Sequence, residues 1–439
     1  TSAATGWIII DGGAHMPPNP KFIATFDTTK HSPYGTPINS TTIVLPLRSN
    51  GTYDFYVDWG DGTAEDHVTS YNSNNAKHSY SHNGSYTIII SGTLVGWSYY
   101  NSDSNSVFGL RRTDMQATNS ATSNSIQKDK LTCIHDWEGL EFGPDYFYFF
   151  ASNRNLTGVP TEIFNVPAGG SIKQTFGDQQ MSGLGVVLSS NNMISGWDTS
   201  SVTNMGNMFR FMGYDLNAGT PAIDFDLSYW DVSSVTGFPA MFYFMEDWNN
   251  GGSPGISGWD TSNTQDFNYM FAGARRFNQN IGNWDTSSAT NMNGMFATIY
   301  GTQDFNNGGS SSISGWDVSN VTQLAYMFSR SSSFNQPVGP WDTSSLQNMS
   351  HTFGERNYNY DLANWVVTGV TDATNFLGSN SHGMSTSNYS TTLIGWGAQS
   401  VQNGVSISFG NSKYSAGAAA TARQSLVNQG WTITDGGQA

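Results

Sequence analysis

One cysteine, Cys133, stands in 439 residues, so no disulfide closes within the chain and a cysteine-built metal framework is excluded. The setting of Cys133, in Leu131-Thr132-Cys133-Ile134, suits a small buried hydrophobe better than a reactive thiol. Charge is scarce as well, at 11% of residues against roughly a quarter in ordinary globular proteins. Basic residues are the rarer sign, 17 against 33 acidic, for a formal net charge of −16. With no basic stripe, that balance argues against nucleic acid and anionic membrane as partners. No run of 18 apolar residues occurs, so no membrane span is expected. The chain opens Thr1-Ser2-Ala3, without Met or an apolar leader, as a processed or trimmed chain would. Ser, Thr, Asn and Gly are abundant and aromatics reach 14%, which implies a neutral, polar surface. The length exceeds one compact domain and calls for two or three domains or a repeat array.

A repeat dominates from about residue 190 to 377 and reads I-x-x-W-D-x-S-x-x-x-x-M-x-x-M-F. Its tryptophans are Trp197, Trp230, Trp259, Trp284, Trp316, Trp341 and Trp365, spaced 33, 29, 25, 32, 25 and 24 residues apart. Within the unit the spacing is strict, with Phe209, Phe242, Phe271, Phe296, Phe328 and Phe353 each 12 residues after a Trp and Leu377 closing the seventh copy. Length changes therefore fall between Phe and the next Trp, where insertions such as Asn249-Asn250-Gly251-Gly252-Ser253 sit, as loops absorb variation and packed segments do not.

Ile194, Leu227, Ile256, Ile281, Ile313, Val338 and Leu362, each three residues before a Trp, read as a short strand leading to it. Ser200, Ser233, Ser262, Ser287, Ser319 and Ser344, three residues after it, suit a helix N-cap. Positions such as Val202, Met205, Met208 and Phe209 would then share one face of a short helix. The expected unit is strand, cap, helix and return loop, stacked into a solenoid with a shared core of Ile, Trp, Met and Phe. Looser copies at Leu156-Thr157-Gly158-Val159-Pro160 and Ile172-Lys173-Gln174-Thr175-Phe176 read as its divergent beginning.

The phrase W-D-[TV]-S-[SN]-[VA]-T-x-M-x-x-M-F, with Phe277-Asn278-Gln279 or Phe334-Asn335-Gln336 before it, resembles the leucine-rich repeat of BspA-like bacterial surface proteins and Mycoplasma-type lipoproteins. The resemblance covers nearly half the chain. It implies surface display, adhesion and ligand binding, with some relatives in virion proteins; fold likeness does not fix a ligand.

Residues 21–95 differ in texture, with apolar runs such as Phe55-Tyr56-Val57 and Tyr86-Thr87-Ile88-Ile89-Ile90 separated by turn clusters, as in a β-sandwich. The pieces VDWGDGT from Val57 and HSYSHNGSYTIIISG from His78 look like a PKD-type (Ig-like) domain. Asp58, Asp61 and Gly62 read as a structural hairpin turn rather than a calcium loop, since no full D-x-D-x-D-G series is present. The expected organisation is an N-terminal arm over residues 1–20, the sandwich over 21–95 and a polar linker over 96–130. Divergent leading repeats over 131–190, BspA-like repeats over 191–380 and a capping segment over 381–439 follow. In the last, Ala418 to Val427 reads as a helix and Trp431 to Thr434 as a final strand. The fold class is thus an N-terminal β-sandwich followed by an α/β leucine-rich-repeat-like solenoid with a C-terminal cap.

No catalytic residues, metal ligands or cofactor site emerge. The eight histidines form no convincing metal or triad pattern, and His78 and His82, four apart on a predicted strand, do not share a face as they would on a helix. Asp198, Asp231, Asp260, Asp285, Asp317 and Asp342 follow the Trp in six copies and are better explained by repeat architecture than by acid–base chemistry used once. The expected protein is non-enzymatic, extracellular or on a cell surface, and adheres to a protein, glycan or other surface ligand. The alternative is a structural subunit of a filament or virion fibre assembling with its own copies. The candidate assembly strand is Trp7, Ile8, Ile9 and Ile10, in a segment that repeats the end of the chain: Gly6-Trp7-Ile8-Ile9-Ile10-Asp11-Gly12-Gly13 against Gly430-Trp431-Thr432-Ile433-Thr434-Asp435-Gly436-Gly437.

Overall fold

A computed structural model describes residues 21–30, 41–97, 129–138, 140–141, 153, 155–162, 171–172, 175–176, 188, 194–212, 223–298, 301, 303–356, 358–378 and 382–439. The N-terminal strands are β1 (Lys21–Asp27), β2 (Thr42–Val44), β3 (Leu47–Asp58), β4 (Asp66–Val68), β5 (Lys77–Ser79), β6 (Ser85–Trp97), β7 (Leu131–Trp137) and β8 (Leu140–Glu141). β1 shows why they form: Phe22, Ala24 and Phe26 are buried while their neighbours lean outward, the two-residue alternation of a sheet with one apolar face. Six of the strands make one sheet in the order β4-β3-β6-β1-β7, with β8 parallel to β6, and β2 pairs separately with β5. β7, which the sequence reading counted among the leading repeats, is an antiparallel neighbour of β1 through Phe22↔Trp137 and Ala24↔Ile134. It also starts the repeats, since Ile134 N–H donates to Gly158 and Thr157 N–H to Thr132.

The expected fold class is corrected here. The all-β region is a six-stranded sheet with a separate two-stranded pair, not a PKD/Ig-like sandwich, and its outer face is polar where Thr25 meets Thr87 and His135. The repeats are not α/β units of a leucine-rich-repeat-like solenoid: the described residues between 194 and 378 hold no α-helix, and the two α-helices with described bounds both follow residue 385. The physical reason lies in where the backbone N–H groups go. An α-helix needs each N–H to reach the carbonyl four residues back. Here Met205, Asn207, Phe209 and Phe211 donate to Gly237, Pro239, Met241 and Tyr243 of the next repeat, while Met208, Arg210 and Met212 donate three residues back to Met205, Asn207 and Phe209. Half the donors are thus claimed by the neighbour, and the remainder close successive tight turns. Each turn closes a bond between residues i and i+3, so the i, i+3 apolar spacing persists without a helix.

The segment before each Trp is also a turn and not a strand, as Trp197 N–H donates to Ile194 and Trp284 N–H to Ile281. Successive repeats are joined by isolated parallel bridges at one fixed position, running Ser171, Asn204, Gly237, Asp266, Asn291, Gln323, Asn348 and Asp372.

Rings fill the interior of this stack. Phe209, Phe242, Phe271, Phe296, Phe328 and Phe353 lie ring on ring at 5.5–5.8 Å. Beside them run Trp248, Phe277, Phe305, Phe334 and Tyr358, each within 3.7–4.0 Å of its partner in the first column. Such pairs contribute about 0.5–1.5 kcal/mol each beyond the area they bury. One apolar cluster runs from Phe22 in the sheet to Trp431 near the end.

After the repeats come α1 (Thr386–Gly397), β9 (Ser406–Ser408), α2 (Ala418–Asn428) and β10 (Thr432–Thr434). Ser385 caps α1 by accepting from Asn388 N–H. α2 lies against α1 so closely that a Cβ on Gly397 would stand 2.6 Å from the Ala422 carbonyl oxygen, so only glycine fits there. β9 and β10 are parallel, and Ile407 of β9 bridges Ala373, so the ladder continues to the end of the described chain.

Candidate binding face

The seven repeat tryptophans and the six repeat phenylalanines named above all lie in the interior. Each Trp position has a reason to be Trp and not Phe. The indole N–H of Trp230, Trp259, Trp284, Trp316, Trp341 and Trp365 donates to the carbonyl of Ile194, Leu227, Ile256, Ile281, Ile313 and Val338, the aliphatic residue of the repeat before. The ring fills the core while its one polar atom satisfies a buried backbone acceptor. Trp396 donates likewise to Leu362, so one further anchor continues the series beyond the seven read from sequence, while the buried Trp431 donates instead to Gln402.

The aspartate after each Trp holds a turn. Asp198, Asp231, Asp260, Asp285, Asp317 and Asp342 each accept the N–H of the serine two residues on. The serine expected to cap a helix is therefore the donor and the aspartate the acceptor. Hydrogen bonds from the serines hold the carboxyls of Asp198, Asp260 and Asp317 below their ordinary value.

The insertions are built corners. Asn250 and Asn307 are fully buried; their Oδ1 accepts from Leu227 and Ile281 N–H at 2.8 Å, and their Nδ2 donates to Ser253 and Ser310. In other repeats Tyr358 and Thr392 hydroxyls accept the corresponding N–H of Val338 and Leu362.

The outer turns carry what varies. The residue ten after each Trp has a left-handed backbone, with φ of 56°, 53°, 53°, 61°, 59°, 54° and 54° at Asn207, Ala240, Tyr269, Gly294, Tyr326, His351 and Asn375. Successive members touch: the Tyr269 ring lies over Gly294, Tyr326 stacks on His351 at 4.3 Å, and Asn375 is 3.1 Å from His351 Nε2. Alongside, Arg210 sits over the Phe211 and Tyr243 rings, Phe211 stacks on Phe244, and Tyr243 meets Tyr269 edge-on. Ion pairs between matching positions of adjacent repeats border the rings, as Arg275–Glu246, Arg276–Asp247 and Arg330–Glu355. His351 Nδ1 and Arg210 Nε are buried without a hydrogen-bond partner among the described residues. Burial holds the His351 ring below its ordinary pKa, against the opposing pull of Asp372 and Glu355. This face mixes aromatic, charged and small residues, is locally charge-balanced, and varies from repeat to repeat over an interior whose Trp and Phe anchors recur at fixed positions.

Other groups singled out from sequence have structural work. Asp61 accepts from Thr63 and pairs with His78 at 2.8 Å; although burial pushes its carboxyl up, these hydrogen bonds bring it down to about 2. Asp58 accepts Gly60 N–H, so both aspartates of VDWGDGT hold the hairpin. His82 meets Ser81 and not His78. Cys133 is half-buried, and burial raises its thiol pKa. No group of three His, Cys, Asp or Glu among the described residues is placed to hold a metal ion. Trp7, Ile8, Ile9 and Ile10 lie outside the described residues.

Three stretches, residues 180–253, 210–312 and 298–390, match the model of a family described as Mycoplasma protein of unknown function, DUF285. The match falls on the ring-stacked repeats and leaves the N-terminal sheet outside it. No curated protein and no solved structure matches the chain. No helix among the described residues is long and apolar enough to cross a membrane.

Proposed function

We propose that the chain is a non-catalytic, surface-displayed repeat protein that adheres to an external protein or glycan through the aromatic face of its outer turns. The observation that carries this reading is the contrast within each repeat. Trp, Asp, Ser and Phe recur at fixed places and serve the interior or its turns, whereas the left-handed position varies through Asn, Ala, Tyr, Gly, Tyr, His and Asn, with Tyr326 and Asn375 exposed, Asn207, Ala240, Tyr269 and His351 part-buried and Gly294 buried. Tyr326 on that row is 39% exposed. Aromatic side chains offer large, rigid contact area at low entropic cost, which suits recognition. The recurrent aspartates are each committed to a turn, which supports a structural use over an acid–base one. The DUF285 match supports surface-type display.

The test is binding of the intact chain to arrays of immobilised glycans and extracellular-matrix proteins, beside Tyr326→Ser and Gly294→Ala. A Cβ on Gly294 would stand 2.2 Å from the Tyr269 ring and must displace it. A captured ligand whose affinity falls at least tenfold in both variants, at unchanged melting temperature, supports the face. Ligand binding that neither variant alters overturns it, as does the absence of binding across both arrays.

A further inference from the structure

The position thirteen residues after the anchor Trp holds Arg210 and Tyr243 in the rungs of Trp197 and Trp230, and then Ala272, Ala297, Ser329 and Gly354. Phe209 packs into the core and Arg210 N–H closes the turn onto the Asn207 carbonyl, which leaves the arginine side chain on the outer face beside Phe211. The guanidinium lies 4.7 Å from the Phe211 ring centre and 5.2 Å from that of Tyr243, and the two rings stand at 86° to each other. Rings attract a cation but take up none of its N–H groups in strong hydrogen bonds. On the same face Arg275, Arg276 and Arg330 each meet a carboxylate, of Glu246, Asp247 and Glu355. Arg210 meets none among the described residues: its Nε is closed off from solvent without a partner, and its terminal nitrogens make no hydrogen bond either. A half-buried cation with unfilled donors gains from an anion, and a planar guanidinium fits a carboxylate through two parallel hydrogen bonds.

A second observation shows what else the ligand must carry. The side-chain amides of Asn268 and Asn293, in the rungs of Trp259 and Trp284, make no hydrogen bond among the described residues, and in each Oδ1 is the atom closed off from solvent. Nδ2 is therefore the end that each amide offers outward. Asn263 and Asn320, by contrast, spend their Nδ2 donors on the Ser233 and Ser287 carbonyls. Tyr269, next to Asn268, meets Tyr243 at 6.0 Å, which ties the amides to the arginine across one continuous surface. At the spacing of hydrogen-bonded strands, Asn268 and Asn293 lie roughly 10 and 14 Å along the stack from Arg210. A fitting ligand thus presents a carboxylate at one end and oxygen acceptors further along. A carboxylated oligosaccharide has both, together with apolar ring faces that suit Tyr243 and Tyr269. Its rings arrive already rigid, whereas an acidic peptide must order its backbone to span the same distance. The net charge of −16 disfavours densely sulfated or phosphorylated polymers.

We infer that Arg210, Asn268 and Asn293 form a subsite for a carboxylated oligosaccharide laid along the stack, with the sugar carboxylate on the Arg210 terminal nitrogens and hydroxyl oxygens on the two amides. The inference rests on the reading of the outer turns as a binding face and gives that face a ligand class. Arg210 selects acid over neutral sugar, because an uncharged group leaves the guanidinium without its counter-ion. The two amides set the direction in which the saccharide runs.

The experiment measures by calorimetry the binding of the intact chain to trigalacturonate and to sialyllactose, each beside its methyl ester, and to a glutamate-rich peptide. At least one of the two acids is expected to bind and to be favoured over its ester roughly tenfold or more. Arg210→Gln is expected to abolish that preference, and the double variant Asn268→Ser, Asn293→Ser to weaken acid and ester alike, both at unchanged melting temperature. A packing role alone for Arg210 does not move the acid-to-ester ratio. Should Arg210→Gln melt lower than the intact chain, Arg210→Met takes its place, since it keeps an unbranched apolar stem between the rings. The inference is overturned if neither acid binds, if an acid binds no better than its ester, or if the preference survives loss of the arginine. Arg210-dependent binding of the peptide where neither sugar binds overturns it too, as does an asparagine variant that binds like the intact chain. A neutral glycan or a protein captured through Tyr326, with no acid bound, removes this ligand class and leaves the wider reading of the face standing; the absence of every ligand removes both.

Discussion

The N-terminal sheet and the repeat stack bury their apolar residues by different rules, and the difference decides what sequence pattern means. In β1 the alternation of Phe22, Ala24 and Phe26 with outward residues has one structural solution, because a two-residue period matches the pleat and little else. In the repeats, Val202, Met205 and Met208 recur every third residue, which fits a helix, yet the chain makes consecutive tight turns. Period three specifies that one side is buried; it does not specify which carbonyl receives each N–H. In the sheet the partner is an antiparallel neighbour in the same domain, whereas in the repeats it is the same position one repeat later. A single repeat read alone cannot reveal that partner.

The sharpest way to break this comparison is at a Trp anchor. Trp284→Ala is expected to cost about 3–5 kcal/mol, since it removes a fully packed ring from the stack. Trp284→Phe keeps a ring but removes one of the two donors to the Ile256 carbonyl, which still accepts from Trp259 N–H, at about 0.5–1.5 kcal/mol. Chemical denaturation would measure both. Native-state hydrogen exchange should place the loss in repeats adjoining Trp259 and Trp316 and leave the amides of β1 and β6 protected, because stacked repeats couple mainly to their neighbours. Equal loss of protection in the sheet would show that the two regions unfold as one unit.

The next effect concerns the corners. Asn307→Ala is expected to cost about 1–3 kcal/mol, because it leaves the buried Ile281 N–H and Ser310 carbonyl unpaired. A neutral result in thermal melting would restore the view of these insertions as slack between packed segments. That view came from length variation alone, and it failed because a buried asparagine satisfying a backbone donor reads in sequence like any loop asparagine.

Much of the architecture was nevertheless legible. The fixed distances from Trp to Asp, Ser and Phe set the register of each repeat, and α2 and β10 lie where Ala418 to Val427 and Trp431 to Thr434 suggested a helix and a strand. The turns were hidden because the left-handed position holds Tyr269, Tyr326 and His351 as readily as Gly294, so no glycine signature marks it. The binding face was hidden with them, since it exists only once those residues are lined up across repeats. Trp396 went unread as an anchor because Gly397, Ala398 and Gln399 follow it in place of the usual Asp-x-Ser, although Gln399 still accepts from Val367 N–H across the rung.

The smallest effect tests the turn aspartates and separates the two regions by acid. Asp260→Ala is expected to cost about 0.5–1 kcal/mol near neutrality, the scale of a lost capping bond. Its carboxyl, hydrogen-bonded by Ser262, titrates below the ordinary value of 3.8, as do those of Asp198 and Asp317. A group whose folded pKa lies below its unfolded one stabilises the fold fully above the unfolded value, and that contribution fades as pH falls through the folded one. Stability of the repeats should therefore drop as pH is lowered below about 3.8, and a triple variant at Asp198, Asp260 and Asp317 should start lower and fall less steeply over that range. In the sheet, Asp61 is held down to about 2 by Thr63 and His78, so its contribution should persist to more acid conditions. Hydrogen exchange at pH 3 and at neutrality would read both regions in one sample; a triple variant with the same acid slope as the intact chain would remove the aspartate turns from the account of repeat stability.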